Sequence, residues 1–205
     1  SNLSAERSLL VAVERRNPEQ SRGLLRDSLQ SQQALVGGVA QSQFCCIAAQ
    51  GHSVDRAPAI WYFLGCNHQF ESELLELLLS HGFALGTPLE FERTRIANLW
   101  PRQSHEILEK SLPQELDRDA STISFTKGCY LGQETIARLD ARGQLQKKLC
   151  LLEVIEGPVP DVGSPIFEGE REVGILSSVA SHPSQNALAL ATLKRGAFEV
   201  GKRLS

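Results

Sequence analysis

Residues 60–64, Ile60-Trp61-Tyr62-Phe63-Leu64, and residues 71–80, Glu71-Ser72-Glu73-Leu74-Leu75-Glu76-Leu77-Leu78-Leu79-Ser80, decide how the first half of the chain is read. The first is a short apolar and aromatic run, the pattern of a buried strand. The second is leucine-rich at helical spacing and is closed by Gly82, which suits a helix C-terminus. Trp61-Tyr62-Phe63 reads as strand core, with a ligand-stacking wall as the sharper alternative. Working outward, residues 83–85 predict a short fourth strand. Residues 44–49 and 8–13 predict two earlier ones. Asn17-Pro18-Glu19 combines a capping side chain, a proline for the first helical position and an early acid. Leu24, Leu25 and Leu29 continue that helix. The order βαββαβ predicts a ferredoxin-like unit, a split βαβ with helices on one face.

Thr87-Pro88 opens another helix, expected over residues 89–99. Residues 101–121 are polar and irregular, with Ile107-Leu108 as an apolar anchor. Residues 122–126 predict a strand and residues 133–140 a helix. From Gly143 the texture changes. Residues 147–155, 171–179 and 187–194 are strand-like, and turn-rich residues 156–163 separate the first two. Several short strands with turns between them suggest a small barrel or sandwich. The expected fold is therefore α+β: a ferredoxin-like α/β unit over 1–142 followed by a small C-terminal β-barrel over 143–205.

The composition bounds the function. The net charge of -3 argues against a general grip on nucleic acid. No apolar run is long enough to span a membrane, and residues 1–7 lack the layout of a signal peptide. Cys45, Cys46, Cys66, Cys129 and Cys150 are odd in number and irregular in spacing, which points to a reducing cytoplasm rather than a disulfide framework. No Cys-x-x-Cys or spaced histidine pair supports a metal site; His52, His68, His81, His105 and His182 are scattered. The chain has no methionine, which leads us to expect a processed or truncated product.

The residues that carry chemistry cluster in Lys127-Gly128-Cys129-Tyr130-Leu131-Gly132-Gln133-Glu134. The predicted context is strand, turn, helix. Gly128 and Gly132 bracket the turn and admit backbone angles closed to other residues. A cysteine just before a helix N-terminus, with Lys127 two residues away, favours a thiolate. The same N–H groups suit a substrate carboxylate or phosphate. The plain alternative is a buried cysteine in a turn that only joins two elements.

This segment resembles the signature of the YgfZ-type folate-binding proteins, relatives of the aminomethyltransferase of glycine cleavage. That signature is Lys-Gly-Cys-aromatic-x-Gly-Gln-Glu, and every fixed position matches. Arg95-Ile96, Leu112-Pro113-Gln114, Arg142-Gly143, residues 174–178 and residues 187–191 resemble further family segments in the same order. The resemblance is clear from about Glu90 onward and loose before it.

It implies a tetrahydrofolate-binding accessory protein that supports iron–sulfur enzymes, including tRNA-modifying ones. Cys129 would be the working thiol with Lys127 beside it. Gly128, Tyr130, Gly132, Gln133, Glu134, Arg95, Trp100 and Arg138 would surround the cofactor. The alternatives are an aminomethyltransferase using tetrahydrofolate and a non-catalytic docking module. The chain departs from the pattern after Arg95-Ile96, where Ala97-Asn98-Leu99-Trp100-Pro101 stands in place of Glu-Ala-Gly-x-Pro. That glutamate belongs to the folate site of the transferase, so its loss argues against transferase chemistry. Family members also carry a further N-terminal portion that helps to wall the folate site. We expect this chain to lack it and its folate site to be incomplete.

Overall fold

The computed structural model describes residues 7–14, 44–50, 60–124, 128–129, 132–134, 136–137 and 145–205. The chain divides into two compact units, 1–87 and 88–205. The expected boundary near Gly143 falls outside the described residues.

In the first unit, β1 (Arg7–Glu14), β2 (Phe44–Gln50) and β3 (Ile60–Asn67) form one sheet in the order β1-β3-β2. Strand β3 is antiparallel to both neighbours. A split βαβ has this order in its first three strands, but its first helix lies outside the described residues. Alternation along β3 sends Tyr62, Leu64 and Cys66 to one face, where they pack on Leu74 and Leu78 of helix α1 (Glu71–Ser80). Those two leucines lie four residues apart, one turn along the helix.

Helix α1 ends in a paired cap: Phe83 N donates to Leu78 O, and Gly82 N to Leu79 O, with Gly82 at φ +83°. The strand expected at 83–85 does not form. Phe83 turns into the core and meets Tyr62 edge-on, ring centroids 6.2 Å apart. A three-residue run stopped by Gly86-Thr87-Pro88 has little backbone left to pair. The helix expected after Asn17 lies outside the described residues.

The second unit begins with α2 (Pro88–Ala97), which starts on its proline as expected but ends two residues before Leu99. Residues 98–118 are irregular, and a single helical turn, α3 (Asp119–Thr122), follows. The strand expected over 122–126 is therefore not present at its start, because Thr122 belongs to α3: its backbone and its hydroxyl both donate to Arg118 O. Residues 125–127 lie outside the described set.

Strands β4 (Lys147–Val154), β5 (Pro165–Glu168), β6 (Arg171–His182) and β7 (Gln185–Lys194) form an antiparallel sheet in the order β4-β7-β6-β5. The alternating run of β7 buries Ala187 through Ala191 and Leu193 from both sides. One side packs Leu149, Ala180, Leu188 and Leu190 with Ile96, Leu99 and Leu116. The other packs Ile166, Val173, Leu176, Ala189, Ala191 and Leu193 with Ala197.

The expected closed barrel is not found among the described residues. The outer edge of β4 gives Leu149 N to Glu115 O at 2.7 Å, and β5 exchanges bonds with Ser205 through Phe167. Other segments thus occupy positions on both edges, and the edges do not pair with each other.

Candidate functional site

The signature turn is partly described. Gly128 and Cys129 are exposed, and Cys129 carries a free thiol. Gly132 sits at φ +89°, where a side chain would be strained although space is open around it. Gln133, Glu134, Ile136 and Ala137 are helical, and Ile136 N donates to Gly132 O at 3.3 Å. Glu134 is exposed and Gln133 half-buried. Lys127, Tyr130 and Arg138 lie outside the described residues.

Two other thiols contrast with Cys129. Burial pushes the Cys150 thiol up to about 11. Burial, with the nearby Glu71 carboxylate adding to it, raises Cys66 as well. Cys66 is buried and Cys150 partly so, whereas Cys129 is exposed.

The Arg95 and Trp100 pair belongs to a buried frame in the second unit. Arg95 is 2% exposed, and its five N–H donors are all engaged. Nε and Nη2 make a fork onto Glu92 at 3.0 and 2.6 Å. Nη1 reaches Trp100 O at 2.6 Å and Glu106 Oε2 at 3.2 Å, and Nη2 also reaches Ser178 Oγ at 2.6 Å. Glu106 is buried too; it accepts from Arg102 N at 2.9 Å and from the Ser178 hydroxyl. Burial pulls the Arg95 guanidinium down, but the Glu92 hydrogen bond and the Glu106 charge outweigh it, so its net shift is upward.

Trp100 follows a backbone cap of the same form as that of α1. Trp100 N donates to Arg95 O and Leu99 N to Ile96 O, with Leu99 at φ +50°. Leucine here occupies the left-handed position usually given to glycine. A second guanidinium, Arg118, lies 4.6 Å over the Trp100 ring and donates to Leu99 O at 3.0 Å.

The frame and the signature turn are joined through Gln114. Its Nε2 donates to Ile136 O at 3.4 Å, while its Oε1 is buried without a hydrogen-bond partner. Sequence reasoning named Arg95, Trp100 and the Leu-Pro-Gln segment. It missed Glu106, Ser178 and Arg118. A buried arginine must find carboxylates, but nothing in the local pattern says which.

No protein-family model matches the chain. It is similar to the tRNA-modifying protein YgfZ of Aliivibrio fischeri (strain MJ11), 39% identical over 80 residues, 38% of this chain and 24% of that protein. A putative chloroplastic transferase of Arabidopsis thaliana is 30% identical over 129 residues, 62% of this chain and 29% of that protein. A mitochondrial iron–sulfur cluster assembly factor homolog of Aspergillus oryzae is 31% identical over 83 residues, 38% of this chain and 19% of that protein. The chain spans about a quarter to a third of the length of the first curated relatives that it matches.

Proposed function

The chain is a relative of the YgfZ-type proteins, and on that footing we propose that it is part of a tetrahydrofolate-binding accessory protein supporting iron–sulfur enzymes, tRNA-modifying ones among them. The observation that carries this reading is the exposed free thiol of Cys129, three residues before a left-handed Gly132. An exposed thiol on a shaped turn suits a residue that meets a partner or a bound small molecule rather than one that fills a core. Lys127, Gly128, Tyr130, Gly132, Gln133, Glu134 and Arg138 are proposed as its surroundings. The cytoplasm is the proposed compartment.

Tetrahydrofolate fits the described residues in part. Trp100 offers a half-buried aromatic surface for it. Arg95 has no N–H left for a ligand, so we assign it the task of holding Trp100 rather than touching the cofactor.

The test is Cys129→Ala in the full-length protein, read as the activity of iron–sulfur tRNA-modifying enzymes in cells, beside a tetrahydrofolate titration of the purified protein. Lost enzyme activity with folate binding retained is the expected pair. Undiminished activity sinks the role of the thiol, and absence of folate binding sinks the cofactor.

A folate-dependent transferase is the second reading, favoured by the match to the Arabidopsis protein over 62% of this chain. Ala97, which departs from the glutamate of the pattern this segment resembles, counts against it. Formation of methylenetetrahydrofolate from an aminomethylated carrier would establish it.

A further inference from the structure

Gln114 stands in a turn that the second unit holds firmly. Leu116 of that turn is in the core, and Glu115 O accepts Leu149 N at 2.7 Å. Glu115 pairs with Lys147 at 3.4 Å and Asp117 with Lys148 at 3.0 Å, both lysines on β4. Arg118 N closes the turn onto Pro113 O at 2.9 Å. Position 114 is therefore fixed relative to the sheet.

From this anchored point two hydrogen bonds lead to the signature turn. Gln114 Nε2 donates to Ile136 O, and Ile136 N donates to Gly132 O. Gly132 is the left-handed glycine three residues after Cys129. The direction of the amide is determined: reversed, its oxygen would face the Ile136 carbonyl, acceptor against acceptor. The other end, Oε1, is buried with no partner. A buried acceptor left unmatched lowers stability, so the folded core gains little from an amide here. Its N–H toward Ile136 is the contact that gives it a use.

We propose that Gln114 is a positioning residue for the Cys129 turn, tying the helical start after Gly132 to the anchored turn on the β4 sheet. This deepens the reading of Cys129 as the working thiol, but its test reads the chain itself. The intact protein is compared with Gln114→Ala and Gln114→Glu by amide hydrogen exchange and by the alkylation rate of Cys129 with iodoacetamide. Glutamate keeps the shape of the side chain and removes the donor at neutral pH.

In both variants the Ile136 amide is expected to exchange about fivefold faster, the effect of losing one net hydrogen bond. Exchange in β6 and β7 stays unchanged, and the Cys129 alkylation rate shifts in the same direction in both. A merely structural amide would lower the global unfolding midpoint and leave the local exchange alone. Unchanged Ile136 exchange, or Gln114→Glu behaving as wild type, overturns the proposal. Should neither variant fold, the wild-type protein decides: slowed exchange of the Gln114 side-chain N–H supports it, and exchange at the rate of free glutamine overturns it. Failure of the folate titration leaves each of these readouts intact.

Discussion

Arg95, near the C-terminal end of α2, donates from Nη2 to the hydroxyl of Ser178 in β6 at 2.6 Å, joining two elements that lie 83 residues apart. The same hydroxyl donates to Glu106, so one serine bridges a buried cation and a buried anion. This triangle is the polar centre of the second unit. The helix, the Trp100 turn and the sheet all hang on it.

Removing Arg95 leaves the buried Glu106 carboxylate hydrogen-bonded to Arg102 N and Ser178 but without its Arg95 counter-charge. Arg95→Ala is expected to destabilise the protein by about 3–5 kcal/mol, because the Glu106 charge remains in the interior. Ser178→Ala removes only a bridging hydroxyl and should cost about 1–3 kcal/mol. Urea unfolding of the two variants gives the order; equal losses would show that the charge is not the larger effect.

The frame also sets an acid limb. The hydrogen bond from Arg95 holds the Glu92 carboxyl below its ordinary value; burial pushes it up, and the Arg95, Arg102 and His105 charges pull it further down. A lowered folded value means the contribution is complete above the ordinary carboxylate pKa of about 4.3. It is lost as pH falls from there through the lowered folded value. Glu92→Gln should therefore be less stable than wild type at neutral pH, and the gap should narrow in acid. Unfolding midpoints from pH 7 to pH 3 check this.

Thiol labelling separates the cysteines. Iodoacetamide at neutral pH should modify Cys129 well before Cys66 or Cys150, whose burial keeps them protonated and covered. Peptide mass mapping over time reads the order directly. Early modification of Cys150 would contradict the burial described for β4.

Leu99 tests how a cap tolerates a side chain. Its left-handed backbone costs about 1–2 kcal/mol, while its buried side chain fills the core beside Ile96 and Leu116. Leu99→Gly relieves the first and forfeits the second. The expected loss is about 1–3 kcal/mol, smaller than the loss from Leu149→Ala in the same cluster. Urea unfolding of both variants settles the comparison.

Gly174 is limited by space rather than by backbone angle. A Cβ there would meet Leu193 Cδ2 at 2.6 Å and Thr192 O at 2.7 Å on the neighbouring strand. Gly174→Ala should cost about 1–3 kcal/mol by forcing β6 and β7 apart. Denaturation with unchanged midpoint would mean the strand pair yields.

Much of this was legible in the residues. The leucine spacing of 71–80 and the glycine at 82 specify α1 and its cap. Pro88 specifies where α2 begins, and apolar runs locate three strands of the second sheet. Strand β5 was not read, since Pro165-Ile166-Phe167-Glu168 is too short to show a period. The predicted fourth strand at 83–85 failed because Phe83 does more for the core as a capping side chain than as part of a pair. In the candidate site, the glycine demanded at 132 was visible, while the exposure of Cys129 was not, since a lone cysteine in a turn reads equally well as core.

The sequence by itself thus determined the span of α1, the start of α2, the place of most strands and which segment carries the distinctive thiol. Those follow from periodicity and from the backbone preferences of single residues, all within a few positions of each other. Only the tertiary structure decided that Arg95 is a filled frame residue with no donor to spare, that Leu99 adopts a position made for glycine, and that Gln114 touches the signature segment. Each depends on groups brought together across the chain, where a buried charge or amide takes whichever partner the packing delivers.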